Sequence, residues 1–143
     1  MKKFKITMFV FFIFSAGQSY AGNSQSCLQA AMTQTQLNQC AGVTYDAADK
    51  ELNRVYKKIR EIYKDDKLFL EKMKQAQLAW IKLRDADFEM MYPHHNEHHY
   101  YGSSFPMCSS MYKTRLTLDR VAYLKTWLNG AEEGDVCSGS LMQ

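Results

Sequence analysis

From Val43 to Tyr92 the chain contains neither glycine nor proline, and its residues are mostly straight-chain or alanine. Such a run is free to be helical over most of its length. Within it Tyr45, Asp49, Leu52, Tyr56, Ile59 and Tyr63 recur at three and four residues, one stripe of a helix. A single helix of that length cannot bury its stripe in a small domain. The chain must turn back, and Asp65-Asp66 is the break, with Asp66 placed to cap the next helix. That second helix puts Leu70, Met73, Gln77, Trp80, Arg84 and Met91 on one side, with Ile81 and Phe88 alongside. It should stop at Tyr92, since proline disfavours helical geometry in the residue before it.

The flanks complete the plan. Thr33-Gln34-Thr35-Gln36 offers a capping box for the first helix, and Gly42 is a weak spot soon after it. Pro93 to Pro106 reads as a loop. A third helix follows, with Met111, Thr114, Leu118, Val121, Lys125 and Leu128 at helical spacing, flanked by Thr117 and Leu124, and Gly130 and Gly134 end it. The expected fold is all-α: a small antiparallel bundle of about three main helices, stapled by disulfides.

Residues 1–21 read as a signal peptide. Lys2, Lys3 and Lys5 precede a short apolar run from Ile6 to Phe14, and Ser19-Tyr20-Ala21 supplies small residues for cleavage. The run is too short to span a bilayer. Residues 22–143 then form one domain with an acidic C-terminal tail, carrying 15 charges of each sign. No clustered basic face points to nucleic acid. A periplasmic or secreted location follows. In that setting the four cysteines, Cys27, Cys40, Cys108 and Cys137, favour two disulfides. Up-down geometry brings the start of the first helix and the start of the third to one end, which favours Cys40 with Cys108 and leaves Cys27 for Cys137.

Two groups of residues carry candidate chemistry. Asn53, Gln77, Arg84, Asp85, Thr117 and Arg120 can form one polar network that fixes helix register. With Tyr56 and Trp80 the same seam can instead line a ligand site. The loop holds His94, His95, His98 and His99, imidazoles able to take zinc, copper or nickel adventitiously, or to gain charge in mild acid. No firm metal site and no cofactor is expected. Asp85 and Glu89 lie four apart and read as a solvated face. Nothing resembles a nucleophile elbow, a phosphate-binding glycine loop or HExxH, so no catalytic residue is assigned and an enzyme is not expected.

With these residues placed, the chain resembles the LprI-like lysozyme-inhibitor family of exported bacterial proteins. The resemblance spans about residues 27–124. It rests on Thr33 through Ala41, Tyr45, Ala48-Asp49, Leu52-Asn53 and Tyr56, then Ala76 through Ile81 and Arg84-Asp85. Gly102-Ser103, Cys108, Thr117, Arg120 and Leu124 complete it. Phe88 departs from it, standing where the family often has a cysteine. The histidine loop departs as well. The resemblance implies an all-helical periplasmic or secreted domain whose partner is a lysozyme or another cell-wall hydrolase. An inhibitor of a basic enzyme gains from an inserted loop and from acidic steering. The loop from Tyr92 to Met107 is long for a plain connection. Its candidate contact residues are Tyr92, His94, His95, His98, His99, Tyr100, Tyr101 and Phe105, and Glu132, Glu133 and Asp135 supply local acidity. The alternatives are an envelope or host-facing module whose histidine loop binds a metal or senses pH, and an immunity protein against a wall-degrading toxin.

Overall fold

A computed structural model describes residues 26–142; the segment read as a signal peptide lies outside the described residues. A short helix, α1 (26–30), precedes α2 (Gln34–Ile62), α3 (Lys67–Met91) and α4 (Phe105–Asn129). No strand occurs among the described residues, and no helix there is long and apolar enough to cross a membrane. The expected all-α bundle is what forms.

The helix boundaries follow local chemistry. Thr33 caps α2: its Oγ1 accepts from the Gln36 amide at 3.2 Å, and Gln36 Oε1 accepts from the Thr33 amide at 3.0 Å. The helix then passes straight through Gly42, so that glycine does not break it. At the turn, Asp66 Oδ1 accepts from the Phe69 amide at 2.9 Å and starts α3. The last helical residue of α3 is Met91, two before Pro93. Gly130 ends α4 with φ of 75°, and a Cβ there would lie 2.7 Å from the Met142 carbonyl oxygen.

That close approach exists because the tail folds back over the far end of the bundle. The Ala131 amide donates to Met142 O at 2.7 Å, and the Met142 amide donates to the Tyr63 hydroxyl at 3.1 Å. The Tyr63 hydroxyl in turn lies 3.4 Å from Trp127 O, and Trp127 Nε1 donates to Ser140 Oγ at 3.0 Å. At the other end Asn38 Nδ2 donates to Ser103 O at 3.0 Å. The two sets of contacts show that α2 and α4 run parallel along their length, with α3 returning between their ends.

Packing is unequal. The core comprises Leu52, Val55, Ile59 and Tyr63 of α2, Met73 of α3, and Val121 and Leu124 of α4. Most helix–helix contact is between α2 and α4, and α3 stands off, burying only Met73 and Phe88. The bundle is therefore centred on α2 and α4, although α3 has the more distinctive sequence. Met91, expected on the buried side of α3, is exposed, because it closes the helix beside the loop. On α4 the buried line is Thr114, Thr117, Val121 and Leu124, and Met111 and Leu118 turn outward. The true face is thus rotated by part of a turn from the expected stripe, because two hydroxyl residues are buried where apolar ones are exposed.

The expected disulfide pairing is corrected. Cys27 bonds Cys40, with their Cα atoms 5.7 Å apart, and Cys108 and Cys137 are free thiols. The reason is geometric. The tail carries Cys137 to the Tyr63 end of the bundle, and the helical rise from Cys40 to Tyr63 is roughly 35 Å. A disulfide requires Cα atoms within about 7 Å. The short α1 instead sets Cys27 directly beside Cys40.

One ion-pair cluster joins the two core helices. Glu51, 8% exposed, accepts from Arg54 at 2.7 and 2.9 Å and meets Lys125 Nζ of α4 at 2.9 Å. The Arg54 hydrogen bonds, helped by Lys125 and opposed by desolvation, hold the Glu51 carboxyl down at about 2. Its folded value lies below the unfolded one, so its contribution is complete above about pH 5 and is lost as pH falls through about 2. Denaturation of Glu51→Gln followed against pH is expected to show less stability than the parent at pH 7, the two converging toward pH 2. A gap that stayed constant with pH would contradict this.

Candidate functional site

Two regions collect the candidate residues, and they lie at different places on the bundle. The first is a cleft of about 570 Å³ between α2 and α3, opened because α3 stands off. Leu52, Tyr56, Leu70 and Ile81 form its apolar walls, with Asn53, Gln77, Trp80 and Arg84 among them. Arg60 and Lys74 also line it, and the helical stripes give no sign of these two.

The polar residues expected to form one network separate into parts. Gln77, Trp80, Arg84, Asp85 and Arg120 come together. Arg120 Nε donates to Gln77 Oε1 at 3.0 Å, and the two guanidinium carbons lie 5.4 Å (Arg84) and 5.7 Å (Arg120) from the Trp80 ring centre. Arg84 is itself held by Asp85 Oδ1 at 2.8 and 2.9 Å. Burial lowers the pKa of Arg120 and raises that of Tyr45, where Arg84 acts in the opposite direction. Asn53 belongs to a separate pair, donating to the backbone and side chain of Asp49 at 2.9 and 3.0 Å.

Thr117 stands apart altogether. It is fully buried, and its hydroxyl is the buried side-chain polar atom without a partner among the described residues. An unsatisfied buried hydroxyl costs roughly 1–3 kcal/mol, and an isosteric apolar residue avoids that cost. Thr117→Val is therefore expected to raise stability by about 1 kcal/mol. Urea denaturation checks this; a loss of stability would mean that the hydroxyl is satisfied.

The second region is the loop between α3 and α4, and it is ordered. Successive turns close from His95 N to Tyr92 O (3.0 Å), Glu97 N to His94 O (2.9 Å), Tyr100 N to Glu97 O (3.2 Å) and Gly102 N to His99 O (3.1 Å). Tyr92 is the hub. Its ring centre lies 5.4 Å from those of Phe88 and Tyr101, 5.3 Å from Phe105 and 6.0 Å from Tyr112. Burial raises the Tyr92 pKa, with Cys108, Tyr112 and Tyr101 adding to it. Phe88, standing at the position where the resemblance implies a cysteine, contributes a ring to the same cluster.

The ring contacts run on from this hub into the loop tip, where Tyr100 stacks on His94 and lies 4.8 Å from Tyr101. Tyr92, Tyr101 and Phe105 are committed to one another, and the Tyr101 hydroxyl accepts from the His94 amide at 3.2 Å. Tyr101 and Phe105 are half-buried in this cluster. Sequence carries no direction for these rings, and Tyr112, one turn into the helix beyond Cys108, escapes notice for the same reason. His98, His99 and Tyr100 are exposed at the tip. His99 sits at φ of 65°, a left-handed backbone position that costs a non-glycine residue about 1 kcal/mol and is held by the surrounding turns.

The imidazoles do not converge. His94 Nδ1 pairs with Glu97 Oε1 at 2.6 Å and its ring stacks on Tyr100, while His95 Nδ1 meets Tyr92 O at 3.0 Å. His98 and His99 contact each other edge to face. Among the described residues, no group of three or more His, Cys, Asp or Glu side chains is arranged to hold a metal ion.

The chain is a helical scaffold with a turn-rich α3–α4 loop at one end. Its family is defined by sequence: the family profile of lysozyme inhibitor LprI matches residues 25–124, and the chain belongs to that family. It is an inhibitor family and not an enzyme family, and lysozyme is the partner it implies. The chain is also similar to an uncharacterized protein of Rhizobium meliloti (strain 1021), 35% identical over 113 residues that cover 71% of this chain and 78% of the relative. No solved structure matches.

Proposed function

We propose that this chain is exported and inhibits a lysozyme by seating the tip of the α3–α4 loop in the enzyme's cleft. The observation that carries the reading is the loop's preorganisation. Tyr92, Tyr101, Phe105 and Tyr112 support it from behind, and His98, His99 and Tyr100 face outward. A loop already in one conformation loses little entropy on binding, which favours affinity. Tyr100, 56% exposed and stacked on His94, is the aromatic side chain available as an anchor. Hydrogen-bonding imidazoles flank it. The acidic tail is assigned no part in the contact, because it caps the opposite end of the bundle.

Substituting His98, His99 and Tyr100 together by alanine is expected to weaken inhibition at least tenfold, a hot-spot-sized loss. The substitutions should leave the helical circular dichroism unchanged. Residual activity of chicken-type and goose-type lysozymes against increasing amounts of each chain reads this out. Inhibition undiminished by the triple substitution would remove the loop tip from the mechanism and leave the α2–α3 cleft as the next surface to test.

A further inference from the structure

One flank of α3 carries a second apolar seam that, beyond Ala76, the bundle does not use. Ala76, Ala79, Leu83, Ala86 and Met90 follow one another at alternating spacings of three and four residues, the repeat of a helix–helix seam. All five are exposed, with Leu83 at 59% and Met90 at 74%. Ala76 borders the α3–α4 groove beside Met73 and Trp127, whereas Ala79, Leu83, Ala86 and Met90 lie about a third of a turn round the helix from Met73, Gln77 and Arg84. Leu83 and Met90 are thus large apolar side chains left in water.

We propose that this seam is a self-association surface on which a second copy of the chain docks with its α3 antiparallel. The sequence of side-chain sizes selects the register. When Leu83 lies opposite Ala86 of the second copy, Met90 lies opposite its Ala79. Each layer from Ala79 to Met90 then sets a large side chain against a small one, the arrangement that lets two helices interdigitate closely, while Ala76 lies beyond the paired stretch. The same register brings Lys82, beside the seam, to Glu89 of the second copy. Twofold symmetry repeats that pair, as a self-complementary interface requires. Among the described residues neither Lys82 nor Glu89 enters an ion pair, so both charges are available. The interface is short, about 16 Å along the helix from Ala79 to Met90. Its small size makes the dimer weak and reversible.

The test is sedimentation equilibrium of the oxidised chain carrying Cys137→Ser, which removes the exposed thiol as a source of covalent dimers. The expected result is a concentration-dependent monomer–dimer equilibrium. Leu83→Glu should leave monomer throughout. Glu89→Lys should weaken the dimer about tenfold, and adding Lys82→Glu should restore it to within about threefold. A chain that stays monomeric into the millimolar range overturns the proposal, as does a dimer indifferent to Leu83→Glu. A dimer broken by Leu83→Glu but not restored by the double charge swap overturns the antiparallel register.

Discussion

Ile59→Ala is expected to lower the unfolding free energy by about 3 kcal/mol, within the range of large-to-small changes in packed cores. Ile59 is completely buried on α2, in the cluster where Val55, Met73, Val121 and Leu124 meet. The loss combines removed apolar burial with a cavity that neighbours on two rigid helices cannot fill. For a domain of this size it corresponds to a fall in Tm of roughly 10 °C. Leu68→Ala, at a leucine 66% exposed on α3, is expected to change stability by less than about 0.5 kcal/mol. Urea denaturation of both variants separates the alternatives. Equal losses would mean that this part of α3 belongs to the core, contrary to its exposure.

The second large effect falls on the loop. Tyr92→Ala removes the ring on which Phe88, Tyr101, Phe105 and Tyr112 converge. The three bundle helices have their own core and should keep their far-ultraviolet signal, while the near-ultraviolet signal of the aromatic cluster falls. Because the tip then loses its support, inhibition of lysozyme is expected to weaken at least tenfold, although Tyr92 itself stays behind the tip. Tyr92→Phe keeps the ring and should inhibit nearly as well as the parent. A Tyr92→Ala chain that inhibited fully would show that preorganisation contributes nothing.

Local rules make the helix ends legible in the amino-acid sequence. Thr33 with Gln36, Asp66, Pro93 and Gly130 each act through a hydrogen bond or a backbone preference that operates within a few residues. The α2 stripe through Leu52, Ile59 and Tyr63 is legible as well, because its buried residues are large and apolar. What escapes is long-range. The tail's return to Tyr63 decides that Cys137 cannot reach Cys27, and nothing near either cysteine encodes that return. On α4, Thr114 and Thr117 are buried while Leu118 is exposed, so hydropathy points slightly off the true face.

The candidate site is legible as a segment and not as a surface. The length of the loop marks it, but the direction of each ring depends on Tyr112 and Phe88, which belong to the helices on either side. Tyr101 and Phe105 are consequently half-buried against Tyr92, which their positions in the sequence do not reveal. The polar seam is half legible. Gln77 and Arg120 do meet across α3 and α4, whereas Asn53 turns to its own helix and Thr117 finds no partner among the described residues. The flanking seam of α3 is quiet in the sequence because Ala79 and Ala86 alternate with its two large residues and add little to a hydropathy profile.

Inhibition of a lysozyme is tested most directly by the residual activity of chicken-type and goose-type enzymes titrated with the purified, oxidised chain comprising residues 22–143. A dose-dependent fall in the activity of at least one enzyme is expected, approaching completion near equimolar inhibitor. Full activity of both enzymes in the presence of excess chain would contradict an inhibitory role.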